Sequence, residues 1–188
     1  MFIFLTVAEA QTRNEKIEYL LSRIANEDAD AVGELYDLVK DDVYAYALSK
    51  LRNSEDAEDV LHDTFVRIYR YASRYTPEGK PMAWIVTIAM NIAKRHRELK
   101  SRHISYDETI GEADAAAESF EADAVKSDFV RRLLQSLNED EREIVVLHAV
   151  SGFKHREIAV MLHKSLGTVL SKYNRAIKKL RDIAEEEE

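Results

Sequence analysis

Apolar residues recur along this chain at intervals of three and four, and no sustained run alternates with period two, so the pattern predicts helices throughout and an all-α fold. The first helix is expected from about Arg13 to Ile24, with Ile17, Leu20, Leu21 and Ile24 on its inner side. A second follows from about Asp28 to Lys50, its stripe made by Val32, Leu35, Tyr36 and Val39. In LRNSEDAEDV, Asn53 or Ser54 can cap a third helix, and Glu55, Asp56, Glu58 and Asp59 complement the positive end of its dipole. Its buried side is Leu61, Phe65, Ile68 and Ala72. YTPEGKP interrupts the pattern, after which Pro81 can open a fourth helix through Ile85, Ile88, Ala89 and Ile92. From His103 to about Asp123 no apolar period is strong enough to require packing, which predicts a linker. A second helical group then begins, with an entry helix around Val125 to Ser136 and another from Glu139 to about Val150. The expectation is two small helical domains, residues 13–102 and 124–184, joined by residues 103–123.

The second group ends in FKHREIAVMLHKSLGTVLSKYNRAIKKL, two amphipathic runs joined by a short turn. Ile158, Met161 and Leu162 share a face of the first; Val169, Tyr173, Ala176, Ile177 and Leu180 form the stripe of the second. Its opposite side presents Thr168, Ser171, Lys172, Arg175 and Lys179, with Ser165 placed to cap. Hydroxyls and cations in that arrangement suit phosphates and base edges, as on the second helix of a helix-turn-helix. A three-helix bundle with a basic exterior has the same pattern. The sharp turn usually needs a residue at positive φ, and glycine is absent; His163 is expected to take that conformation, which histidine adopts more readily than most residues.

Composition sharpens this picture where it separates charges. A formal net charge of −8 argues against indiscriminate nucleic-acid binding by the whole chain. Yet Asn91 to His103 carries Lys94, Arg95, Arg97, Lys100 and Arg102 against Glu98, a balance of +4, and Lys154 to Arg181 carries eight basic residues against Glu157, a balance of +7. Between them, Ser105 to Asp128 holds eight acids against Lys126, leaving −7. The first basic patch lies along PMAWIVTIAMNIAKRHRELKSR, where Thr87, Asn91, Lys94, Arg95 and Arg102 fall broadly opposite the apolar stripe and Trp84 falls near its boundary. A tryptophan there can stack on an unpaired base or complete a core, and Asn91 can read a base edge.

Other chemistry is excluded or unsupported. The chain has no cysteine, hence no disulfide framework, and its six histidines lack the spacing of a zinc site; neither metal nor cofactor is expected. His148, His155 and His163 are read as solvated or turn residues. No nucleophile with a nearby base and no phosphate-cradling loop suggests an enzyme. The absence of cysteine makes a reducing cytoplasm the expected home. The apolar opening MFIFLTV, too short to span a bilayer and without a basic flank or small-residue cleavage signal, is expected to be a frayed or weakly docked terminus with no direct membrane insertion.

Three blocks together resemble the two-domain bacterial RNA polymerase sigma factors of the extracytoplasmic-function group, from about Arg13 to Ile183. SEDAEDVLHDTFVRIYRY is similar to the family's core-polymerase-binding helix, PMAWIVTIAMNIAKR to the helix that melts and reads the minus-ten element, and LNEDEREIVVLHAVSGFKHREIAVMLHKSLGTVLSKYNRAIKKL to the region that reads the minus-thirty-five element. The resemblance implies that Asp56, Asp59, His62, Asp63 and Phe65 face the polymerase clamp helices. It implies that Trp84, Asn91, Lys94 and Arg95 follow the melted non-template strand, and that Ser165, Thr168, Ser171, Lys172 and Arg175 enter the upstream major groove. The acidic linker would pass through the RNA channel as an RNA-like occupant. Core RNA polymerase, promoter DNA and an anti-sigma factor are the implied partners. Departures from the family pattern are Met90 where arginine is frequent, Arg95 and Glu98 in reversed charge order, Leu170 at a usually basic position, and His163 for glycine. Two other readings fit a related fold: a sigma-like adaptor that sequesters an anti-sigma protein, and a stand-alone helix-turn-helix regulator.

Overall fold

The computed structural model describes residues 7–104 and 136–186. MFIFLT, the expected linker from Ser105 onward and the expected entry helix as far as Gln135 lie outside the described residues. Among the described residues every regular element is a helix, and the chain divides into two compact units, residues 1–116 and 117–188.

In the first unit α1 spans Val7–Ala25, α2 Asp30–Leu51, α3 Ser54–Tyr71 and α4 Pro81–Ile104, with a 3₁₀ turn at Ala72–Arg74. The start of α1 lies ahead of the expected Arg13, because AEAQ is made of good helix formers but carries no apolar stripe for periodicity to detect. α1 stops where Glu27 turns left-handed (φ 65°): the Glu27 N–H donates to Ile24 O at 3.0 Å and the Asp28 N–H to Arg23 O at 3.1 Å, satisfying two terminal carbonyls. Arg52, also left-handed at φ 55°, ends α2 with its N–H on Leu48 O. Directly after it, Asn53 Oδ1 accepts the Asp56 N–H at 2.8 Å and starts α3, as the sequence predicts.

The α1 stripe is buried at all four expected positions. On α2, Leu35 and Val39 are buried, but the stripe runs on through Val43 and Tyr46. Tyr36 departs from expectation: it is 39% exposed, with its ring 5.0 Å from that of Phe65. α2 packs on α3 and α4, and α3 on α4, around Val60, Ile68, Ile85, Val86 and Ala89. Each large aliphatic side chain removed from water there contributes about 1.5–3 kcal/mol. Arg13 fastens α1 to α2 by pairing with the buried Asp42 carboxylate and donating to Leu38 O at 2.9 Å.

In the second unit α5 spans Glu139–Ala149, α6 His155–Met161 and α7 Leu166–Glu186. A capping box opens α5: Asn138 Oδ1 accepts the Glu141 N–H at 2.9 Å and Glu141 Oε2 accepts the Asn138 N–H at 3.2 Å. α7 lays Val169 and Ala176, both fully buried, against α5 and α6, and Tyr173 and Leu180 flank the cluster of Leu137, Val145 and Ala176.

Candidate nucleic-acid and protein interfaces

The turn between α6 and α7 uses His163 as the sequence predicts, at φ 51°. Its N–H donates to Val160 O at 3.2 Å and the Lys164 N–H to Ala159 O at 2.9 Å, the paired bonds by which a helix is closed with a left-handed residue. Ser165 Oγ then accepts the Thr168 N–H at 3.1 Å and lies 2.8 Å from the Thr168 hydroxyl, capping α7. Ser165, Gly167, Thr168, Ser171, Lys172 and Arg175 line a single open concavity of about 450 Å³. Ser165, Thr168, Ser171, Lys172 and Arg175 therefore share one surface, while Lys179, expected on the same side, does not line it.

Their charges are not equally available. Lys172 Nζ lies 2.8 Å and Lys164 Nζ 3.2 Å from Asp140 Oδ2 on α5, and Lys179 Nζ lies 2.7 Å from Glu141 Oε2. Lys172 first and Lys164 second hold the Asp140 carboxyl below its ordinary range. At Glu141 burial pushes the other way, but Lys179 and the Asn138 N–H outweigh it and the carboxyl is also lowered. Lys172 is thus half-buried and already paired within the unit, whereas Arg175 is exposed. Leu170, at its usually basic position, is 39% exposed on the same helix.

On α4, Asn91, Lys94 and Arg95 are exposed on one side with Thr87, whose hydroxyl donates to Ala83 O at 2.7 Å. Trp84 is half-buried at the edge of this row, its ring 5.3 Å from Tyr75 and tilted by 57°. Sequence reasoning missed Tyr75 because it sits in the interrupted segment, where no period marks a face.

On α3, His62, Asp59 and Asp63 are exposed. Two expected polymerase contacts are placed differently. Phe65 is 7% exposed and packs on Tyr36, so it is a core residue beneath the acidic face rather than part of it. Its i+4 spacing from Leu61 put it on the apolar stripe from the start. Asp56 is half-buried, with Lys100 Nζ 2.5 Å and His96 Nδ1 4.0 Å away, so α4 already neutralises it.

His148 and His155 also depart from the sequence reading, since both are half-buried and packed in one ring cluster. Their rings stack at 4.2 Å, and the Tyr173 ring meets them edge-on at 4.9 and 4.6 Å. His148 Nδ1 lies 2.8 Å from Phe153 O, so that nitrogen carries the proton it donates. His155 Nε2 is buried with no hydrogen-bond partner among the described residues, and burial first, then His148, lowers its affinity for a proton. Among the described residues no cluster of three histidines or acids could hold a metal ion, and no helix is long and apolar enough to cross a membrane.

Residues 35–103 match the family model for sigma-70 region 2, and residues 130–180 that for sigma-70 region 4. The chain is 31% identical to the ECF RNA polymerase sigma factor BldN of Streptomyces coelicolor, over 91% of this chain and 67% of that protein. It is 30% identical to the RNA polymerase sigma factor CarQ of Myxococcus xanthus, over 87% of this chain and 94% of that protein. Its fold resembles the sigma factor RpoE of Bartonella quintana, solved with the anti-sigma factor NepR (TM-score 0.68, 23% identity, 81% of this chain and 96% of that one). It also resembles CnrH, solved with the cytosolic domain of CnrY (TM-score 0.64, 22% identity, 92% and 99%). The chain belongs to the extracytoplasmic-function group of the sigma-70 family of RNA polymerase sigma factors.

Proposed function

We propose that this sigma factor works in the cytoplasm by bringing two modest DNA contacts to core RNA polymerase on one chain. Residues 13–102 bind polymerase and the minus-ten element, residues 103–123 tether, and residues 124–184 bind the minus-thirty-five element. The observation that carries this reading is the concavity at the start of α7, where a capped helix end, hydroxyls and Arg175 converge. There Ser165, Thr168 and Ser171 offer hydroxyls to phosphate, and Arg175 offers a cation and a two-pronged donor to a base edge. Lys172, paired with Asp140, contributes its cation only when that pair opens.

In the first unit, Asp59 and Asp63, with His62 between them, meet basic groups of the polymerase; Asp56 contributes only when Lys100 yields. Trp84 supplies a stacking surface for an unpaired base, Asn91 a base-edge contact, and Lys94 and Arg95 follow the backbone. Opening each base-pair step costs on average about 1.4 kcal/mol, and stacking on an aromatic ring returns about 1–3 kcal/mol per base. One tryptophan therefore offsets roughly one or two steps, so polymerase must hold the rest of the bubble. An anti-sigma factor, such as accompanies RpoE in its solved complex, is the expected inhibitor.

The adaptor reading draws on the internal pairing of Lys172 and the exposed Leu170, which leave this face less cationic than its sequence suggests. Adding the purified chain to core polymerase on promoter fragments separates the readings. Binding to core with open complexes supports the working factor, and core binding without them favours the adaptor. Failure to bind core overturns the sigma-factor reading.

A further inference from the structure

Glu18, half-buried on α1, makes two long-range bonds through one oxygen. Its Oε1 accepts the Tyr75 hydroxyl at 2.7 Å and the Gly79 N–H at 2.9 Å, from positions 57 and 61 residues further along the chain. Both partners lie in the connection between the 3₁₀ turn and α4, where Thr76, Pro77, Glu78, Gly79 and Lys80 are all exposed. Gly79 sits at φ +73° with nothing within 4 Å of where a Cβ would stand, so it is fitted to this path by backbone conformation, not by lack of space. Tyr75 in turn backs the Trp84 ring at 5.3 Å. Burial, then Glu18, holds the Tyr75 phenol in its protonated, donating form.

We infer that Glu18 is a positioning residue for DNA melting: through the Tyr75 hydroxyl it fixes the ring on which Trp84 rests, and through Gly79 it anchors the connection that leads into α4. This rests on Trp84 being the platform for an unpaired base. An acceptor is what Tyr75 and Gly79 both require, so the oxygen matters and the charge does not. A neutral glutamine can accept both bonds, whereas alanine can accept neither. Were Glu18 acting only by repelling phosphate, alanine and glutamine would both strengthen DNA binding; positioning instead separates them.

The test uses the full chain as wild type, Glu18→Ala, Glu18→Gln and Trp84→Ala, with folding checked by far-ultraviolet circular dichroism. Trp84 is the sole tryptophan, so intrinsic fluorescence reports on it alone. In the free protein, Glu18→Ala should raise acrylamide quenching and lower fluorescence anisotropy, and Glu18→Gln should match wild type. A fluorescein-labelled single-stranded oligodeoxythymidylate of twelve nucleotides should bind Glu18→Ala roughly fivefold more weakly, the scale of losing one ordinary hydrogen bond. Binding of the matching duplex should be unchanged. Wild-type fluorescence and single-strand affinity in Glu18→Ala, or equal loss in Glu18→Gln, overturns the inference. If Trp84→Ala binds the single strand like wild type, the platform reading itself has failed and the melting role of Glu18 falls with it. A fluorescence change in Glu18→Ala identifies that case as a failure of the platform and not of the Glu18 contact.

Discussion

His163 and Lys172 show how single residues can satisfy a motif and still alter it. A non-glycine residue in the left-handed region costs about 1–2 kcal/mol, and glycine there gives back about 0.5–1 kcal/mol of extra chain entropy on folding. His163→Gly should therefore stabilise the second unit by about 0.5–1 kcal/mol, seen as a rise of a few degrees in its thermal midpoint with upstream-element binding unchanged. Lys172 and Arg175 share a face, but only Lys172 has a carboxylate 2.8 Å away. Arg175→Ala should weaken promoter binding and reduce the slope of log affinity against log salt by about one unit. Lys172→Ala should change that slope less and instead cost stability through Asp140. Equal slopes for the two variants would show that the Asp140 pair opens when DNA arrives. The sequence displayed the turn and the cap because both are settled within five residues. It could not display Asp140 beneath Lys172, since that pairing exists only after α5 and α7 pack.

At the scale of elements, the same division holds. The stripes of α1 and α7 were legible because 3.6-residue periodicity determines which side of a helix is buried. Contacts among three different helices were not, and His148, His155 and Tyr173 are the clearest case. His155 binds its proton more weakly in the folded unit than in the unfolded chain. Between the folded value and the ordinary one near 6.5 the unfolded chain therefore holds more protons, and stability rises with pH through that window. Acidifying below about 6.5 should accordingly destabilise the second unit. His155→Phe, which keeps a ring against Tyr173, should remove His155's part of that dependence; urea midpoints of both proteins at pH 5 and pH 7.5 measure it. An unchanged pH dependence in the variant would assign the effect to other groups. In α3, by contrast, Phe65 was assigned both to the apolar stripe and to a partner surface, and burial decides for the stripe.

For the whole molecule, the question is how a chain of net charge −8 holds DNA. Charge order along the sequence already suggested the answer, because the two basic runs flank an acidic one and each lies on an amphipathic helix. Internal pairing of Asp56 with Lys100 and of Asp140 with Lys164 and Lys172 lowers the free charge of both faces. Each proposed DNA contact made alone should consequently be weak. On the proposed two-contact reading, polymerase would convert the second contact into an intramolecular event, a gain on the order of 10²–10⁴ in apparent affinity without any new DNA contact. The free chain should therefore bind promoter duplex feebly, and core polymerase should raise affinity by that order. If the exposed carboxylates of α3 are the polymerase contact, as proposed, they are where this linkage can be cut. Asp59→Lys with Asp63→Lys should abolish the gain by weakening core binding, while leaving the free chain's own DNA affinity unchanged or slightly raised by the added positive charge. Asp56→Lys should differ, because it also sets like charge against Lys100 and so costs stability in the first unit. If the Asp59 and Asp63 double variant retains both core binding and the full gain, polymerase must engage another surface of the chain.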